Sequence, residues 1–78
     1  MKPETREQEG KHYTRTHAGK QWHFLALSAS EAYVYWREAG ATHAPAQDVQ
    51  TFTASTDTST AYSQALGAWQ RASGLVRQ

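Results

Sequence analysis

A chain of 78 residues is long enough for one domain and too short for two. It has no cysteine, which excludes disulfide staples and thiolate-held zinc, so three Trp, four Tyr and two Phe must supply much of the core. The formal charge of +1 excludes a strongly acidic nucleic-acid mimic, and no run approaches the roughly 18 apolar residues of a membrane span.

Residues 1–10 (MKPETREQEG) are polar throughout and alternate in charge. They read as a flexible polar N-terminal tail with no signal peptide, ahead of a single small α+β domain over 11–78. Lys11 to His17 alternates β-favouring residues, Ala18-Gly19 marks a turn, and Lys20 to Leu27 is rich in aromatic and apolar side chains. Together they predict a β-hairpin. Ser28-Ala29-Ser30-Glu31 has the spacing of a capping box. It predicts a helix over 29–39, with Ala29, Ala32, Tyr33 and Trp36 as the apolar stripe and Gly40 as the stop.

Pro45 marks a loop, and Asp48 to Ala54 predicts a third strand. The Ser/Thr-rich stretch that follows supplies Ser55 or Asp57 as the cap of a second helix running to about Ser73. Its stripe is Tyr62, Ala65, Leu66 and Trp69, and Gly74-Leu75 suits a Schellman stop. The predicted order is β-β-α-β-α, a three-stranded sheet with two helices packed on one face. Trp22 or Phe24, Trp36, Phe52, Tyr62, Leu66 and Trp69 are the expected core.

No sequence feature frames a nucleophile, a carboxylate pair or a phosphate loop, since the glycines are scattered singly and no G-x-S-x-G elbow occurs. No enzyme activity and no cofactor are expected. His12 and His23 lie on facing hairpin strands, but a Zn²⁺ or Ni²⁺ site needs further ligands such as His17 or His43. Exposed sheet histidines, with no metal, are the expectation.

Between Gly10 and Ser30 there is no acid, and Lys11, His12, Arg15, His17 and Lys20 are interleaved with Tyr13, Trp22 and Phe24. Such a ribbon suits an acidic protein surface or a nucleic-acid backbone. Lys11, Tyr13, Arg15, His17 and Lys20, with Tyr35 and Arg37 on the predicted helix, are the candidate partner-binding residues. Three fixed cations are thin support for a monomeric nucleic-acid binder, so a protein partner is expected first and nucleic acid second. A homodimer would gain buried area. No membrane association is expected, and the absence of cysteine fits a cytoplasmic setting. The chain has no Ile or Asn and fewer Lys than Arg, which points to a GC-rich genome of a bacterium, phage or mobile element.

Gly19-Lys20-x-Trp22-x-Phe24-x-Ala26-x-Ser28-x-x-Glu31-Ala32, followed by Tyr35-Trp36, is similar in outline to the arm-binding domain of phage integrases. That resemblance covers about a quarter of the chain and implies DNA binding through the hairpin. In size and type the chain is also similar to phage-encoded anti-defence inhibitors such as anti-CRISPR proteins, which share no common motif. The expected function is a small non-enzymatic protein-binding module, in its most concrete form an inhibitor docking on a protein complex.

Overall fold

The computed structural model describes residues 3–41, 43–53 and 59–75. A short 3₁₀ helix, Pro3–Thr5, precedes four strands and one α-helix. The strands are β1 (Lys11–His17), β2 (Lys20–Ser28), β3 (Glu31–Glu38) and β4 (Gln47–Phe52), and the helix is α1 (Ala61–Ala72). The strands form one antiparallel meander in the order β1-β2-β3-β4. No helix among the described residues is long and apolar enough to cross a membrane.

The first hairpin forms as its composition predicts. Ala18 and Gly19 both take positive φ, 52° and 79°, the pattern of a type I′ turn, and His17 pairs with Lys20. Its twist matches that of the flanking strands, so the register runs unbroken from His17↔Lys20 to Lys11↔Ala26.

The predicted order β-β-α-β-α is overturned at residues 29–39, which form a strand in place of a helix, so the sheet has four strands and one helix. Two reasons combine, one local and one tertiary. Tyr33, Val34, Tyr35 and Trp36 are four consecutive β-branched or aromatic residues, which lose side-chain freedom in a helix and pack well on a pleated surface. β3 is also covered on both faces, from Ala32 through Tyr35, so its apolar run is continuous and the two-residue alternation that marks a strand is hidden. The capping-box residues serve as a turn. Ser28 pairs with Glu31 after a bulge at Leu27, and the Ser28 hydroxyl accepts from the backbone N–H of Ser30 at 3.2 Å instead of from Glu31.

The strand predicted over 48–54 is β4, now the fourth and edge strand. It pairs with β3 through Ala32↔Phe52, Tyr33↔Thr51 and Val34↔Gln50, with an irregularity before Trp36↔Gln47. Asp48 there takes a φ of 49° and its carboxylate accepts from the indole N–H of Trp36 at 2.8 Å.

The helix forms where its stripe lies. Thr60 caps it by accepting from the N–H of Ser63 at 3.1 Å; the predicted caps, Ser55 and Asp57, lie outside the described residues. At the other end the N–H of Leu75 donates to Gln70 O and that of Gly74 to Arg71 O, with Gly74 at φ 76°. This is the Schellman stop, and its left-handed position requires glycine.

α1 packs across β2, β3 and β4 on one face of the sheet. Phe24, Ala26, Ala32, Val34, Ala65 and Trp69 form the buried cluster there, with Trp22, Phe52, Tyr62 and Leu66 half-buried around it. Trp36, expected on a helix, is half-buried on β3. The other face buries Leu25, Tyr33 and Tyr35. The segment read as a polar tail lies against this second face: Pro3 is buried, Arg6 approaches Glu31 at 3.7 Å, and Glu7 reaches side chains of β1, β2 and β3.

Gly10 lets that segment turn into β1. A β-carbon at Gly10 would collide with the Ala26 carbonyl, which is backbone and cannot swing away. Gly10→Ala is therefore expected to cost ~1–3 kcal/mol, as overpacking does, measured by urea denaturation. An unchanged midpoint would show that the start of β1 sits away from β2 in solution.

Candidate functional site

The strand register sorts the candidate residues by face. Lys11, Tyr13, Arg15 and His17 share the parity of Phe24 and Trp22 across the β1–β2 pairing, so all four lie on the face that carries α1. There they form a seam along the helix. Lys11 Nζ sits 5.5 Å from the Tyr62 ring centroid. Tyr13 stacks on Phe24 at 5.6 Å and meets Trp69 at 6.1 Å, yet stays 42% exposed. Arg15 Nε–H donates to the carbonyl of Ser73 at 3.1 Å, placing a cation where the helix C-terminus carries partial negative charge. The His17 ring lies against Gly74. Lys20, which pairs with His17, lies over the Trp36 ring at 4.4 Å.

Tyr35 and Arg37 are not brought to this seam. Read as helix-surface contacts, they lie on β3 facing the opposite way, 0% and 8% exposed. Their place is a polar cluster on the second face.

That cluster is centred on Glu7. Its Oε2 accepts a hydrogen bond from the Tyr35 hydroxyl and lies 3.5 Å from Arg37 Nη1, 3.6 Å from His12 Nε2 and 3.6 Å from His23 Nδ1. His12 Nε2 and His23 Nδ1 are 2.8 Å apart and share a proton. The His23 ring stacks on Tyr35 with centroids 4.8 Å apart, as their direct cross-strand pairing requires. His23 Nε2–H donates to Gln21 Oε1 at 3.2 Å, and Arg37 Nε–H donates to the Ala44 carbonyl at 2.9 Å. Every buried side-chain nitrogen and oxygen among the described residues has a partner.

Burial sets the protonation states. It pushes His23 down to about 4 and His12 below its usual value, against the pull of the Glu7 carboxylate, so both rings are neutral near pH 7. Burial and the hydrogen bond to Glu7 push the Tyr35 phenol up, so it remains a donor. A groove of about 470 Å³ opens beside the cluster, lined in part by Glu7, Arg37 and His43.

The pairing of His12 with His23 is readable from the hairpin, but the third member is neither His17, which faces α1, nor His43, which lines the groove. It is Glu7, from the segment that composition marks as a solvated leader. Nothing in its local sequence separates it from Glu4 or Glu9.

No family model, no curated protein and no solved structure matches the chain.

Proposed function

We propose that this chain is a small protein-binding module that takes an extended segment of a partner polypeptide along the outer edge of β1. The observation that carries the reading is β1 itself. It is a seven-residue edge strand without proline or bulge, and all its residues except His12 are exposed. A regular open edge is a template for strand addition, in which backbone hydrogen bonds supply affinity and side chains supply choice. The other edge, β4, is interrupted by its irregular pairing and by the positive φ of Asp48, a poorer template. β1 carries Lys11, Arg15 and two histidines and no acid, which favours a partner strand of acidic character. An inhibitor docking on a protein complex is one form this activity would take.

The nucleic-acid reading is less well supported. The basic and aromatic face of the ribbon stays exposed beside α1, but its fixed cations are only Lys11, Arg15 and Lys20, of which Arg15 is engaged by the Ser73 carbonyl, and the opposite face of β1 presents only His12, Thr14 and Thr16. Arg15→Glu is an unsuitable test of either reading, because Arg15 holds the end of α1 and its reversal would place a carboxylate against the Ser73 carbonyl.

Thr14→Pro is the suitable variant. In a two-residue hairpin the closing pair His17↔Lys20 is hydrogen-bonded, so Arg15 and Tyr13 bond to β2 while the N–H of Thr14 points outward. Proline there removes an outward donor and leaves the ladder whole. With a purified partner, Thr14→Pro is expected to weaken binding at least about tenfold, the equivalent of ~1.4 kcal/mol, with an unchanged far-ultraviolet spectrum. Equal affinity of the variant and the parent would refute strand addition at β1. Binding to duplex DNA at physiological salt that resists this substitution would favour the nucleic-acid reading instead.

A further inference from the structure

Three potential ligand atoms converge on the second face of the sheet: Glu7 Oε2, His12 Nε2 and His23 Nδ1. The nitrogens are 2.8 Å apart and each lies 3.6 Å from the carboxylate oxygen. A triangle with those sides has a circumscribed radius of about 2 Å, so one point lies about 2 Å from all three atoms, the length of Zn–N and Zn–O bonds. We propose that Glu7, His12 and His23 bind one divalent transition-metal ion of the Zn²⁺ and Ni²⁺ class.

The donor set selects the class. Two imidazoles and one carboxylate suit Zn²⁺, Ni²⁺ or Co²⁺. Ca²⁺ and Mg²⁺ prefer all-oxygen shells, and soft ions prefer thiolates, which the chain lacks. The surroundings orient the donors. Gln21 Oε1 accepts from His23 Nε2–H, which leaves the Nδ1 lone pair turned into the cluster, as outer partners do for metal-bound imidazoles. Both rings are neutral near pH 7, so no proton must be removed from an imidazolium first. The ion takes the place of the proton now shared between the rings. His12 moves its own proton to Nδ1, and the rings release none.

Arg37 tempers the affinity. Its guanidinium lies 3.5 Å from Glu7 Oε2 and offsets the carboxylate charge, so the site is weaker than one with an unshared carboxylate. Three protein ligands leave the remaining positions to water. The consequence is structural. One ion ties residue 7 to β1 and β2, a staple for a small domain that has no cysteine.

The test uses the full chain without an affinity tag, stripped of metal. Zn²⁺ is titrated calorimetrically, and Co²⁺ is followed by its visible absorption. The expected results are one ion per chain, a Co²⁺ spectrum with nitrogen ligation, and a thermal midpoint that rises with Zn²⁺ concentration. His12→Gln and Glu7→Gln should each weaken Zn²⁺ binding at least about tenfold. His17→Gln, on the opposite face, should leave it unchanged. In the unsubstituted protein, imidazole nitrogen resonances of His12 and His23 should shift on adding Zn²⁺ and that of His17 should not, a readout that needs no variant to fold. No bound ion, shifts confined to other histidines, or equal losses in the His12 and His17 variants would overturn the site.

Discussion

Trp69→Ala is expected to leave the domain largely unfolded in plain buffer. The indole is 7% exposed, packs against Phe24 and Tyr13, and donates from Nε1 to the Trp22 carbonyl at 3.0 Å. It is the largest side chain joining α1 to the sheet. Truncation removes that buried area, leaves a cavity that only a backbone shift could close, and strips a donor from the Trp22 carbonyl. Such changes cost ~3–5 kcal/mol. A core of this size supplies about that much in total, so one substitution consumes most of the stability. Leu66→Ala, half-buried on the same helix, is the matched comparison and should lose clearly less. Both follow from urea titration monitored by far-ultraviolet circular dichroism. A Trp69→Ala protein that melts near the parent temperature would mean that α1 does not dock through this residue.

Deletion of residues 1–9 is the second large effect. A solvated leader could be removed at no cost. Here the deletion takes away the Glu7 carboxylate and exposes Tyr35 and Arg37, which are 0% and 8% exposed in the intact fold. Removing one partner of a buried ion pair leaves an uncompensated charge, and the penalty is ~3–5 kcal/mol. The lower end applies, because the Glu7 side chain is itself 20% exposed and Arg37 retains the Ala44 carbonyl. The measurement belongs in a chelator, so that loss of the ion pair is not confused with loss of a metal. Glu7→Gln should show a smaller part of the effect, since an amide can still accept from Tyr35. A deletion variant with the parent midpoint would restore the leader reading and weaken the case for Glu7 as a ligand.

The elements readable from the residues were those whose signal is local. Ala18-Gly19 between two β-favouring runs marks the hairpin whatever lies beyond it, whereas the type I′ geometry, with Ala18 at positive φ, and the register of β1 on β2 were set by the fold. Gly74-Leu75 stops α1 by backbone geometry alone, and the 3.6-residue spacing of Ala65 and Trp69 marks the buried side of that helix. The shared parity of Lys11, Tyr13, Arg15 and His17 was equally open to reading, because side chains two apart in a strand must share a face.

What the residues alone left open depends on what covers each face. β3 reads as a helix because Ala29, Ala32, Tyr33 and Trp36 happen to fall at helical spacing beside a capping-box pattern. Only when α1 lies on one side and the N-terminal segment on the other does a strand buried on both faces become the better state, and then its alternation disappears. That docking also set the basic face of the hairpin beside α1, where Arg15 reaches the Ser73 carbonyl and Lys11 the Tyr62 ring while both stay exposed. Glu7 is the extreme case. Its partners His12, His23, Tyr35 and Arg37 come from three strands, so a carboxylate indistinguishable from its neighbours in the chain acquires a role only after the sheet has assembled and set those four side chains on one face. Local backbone chemistry is written in neighbouring residues; burial on two faces is a property of the assembled layers.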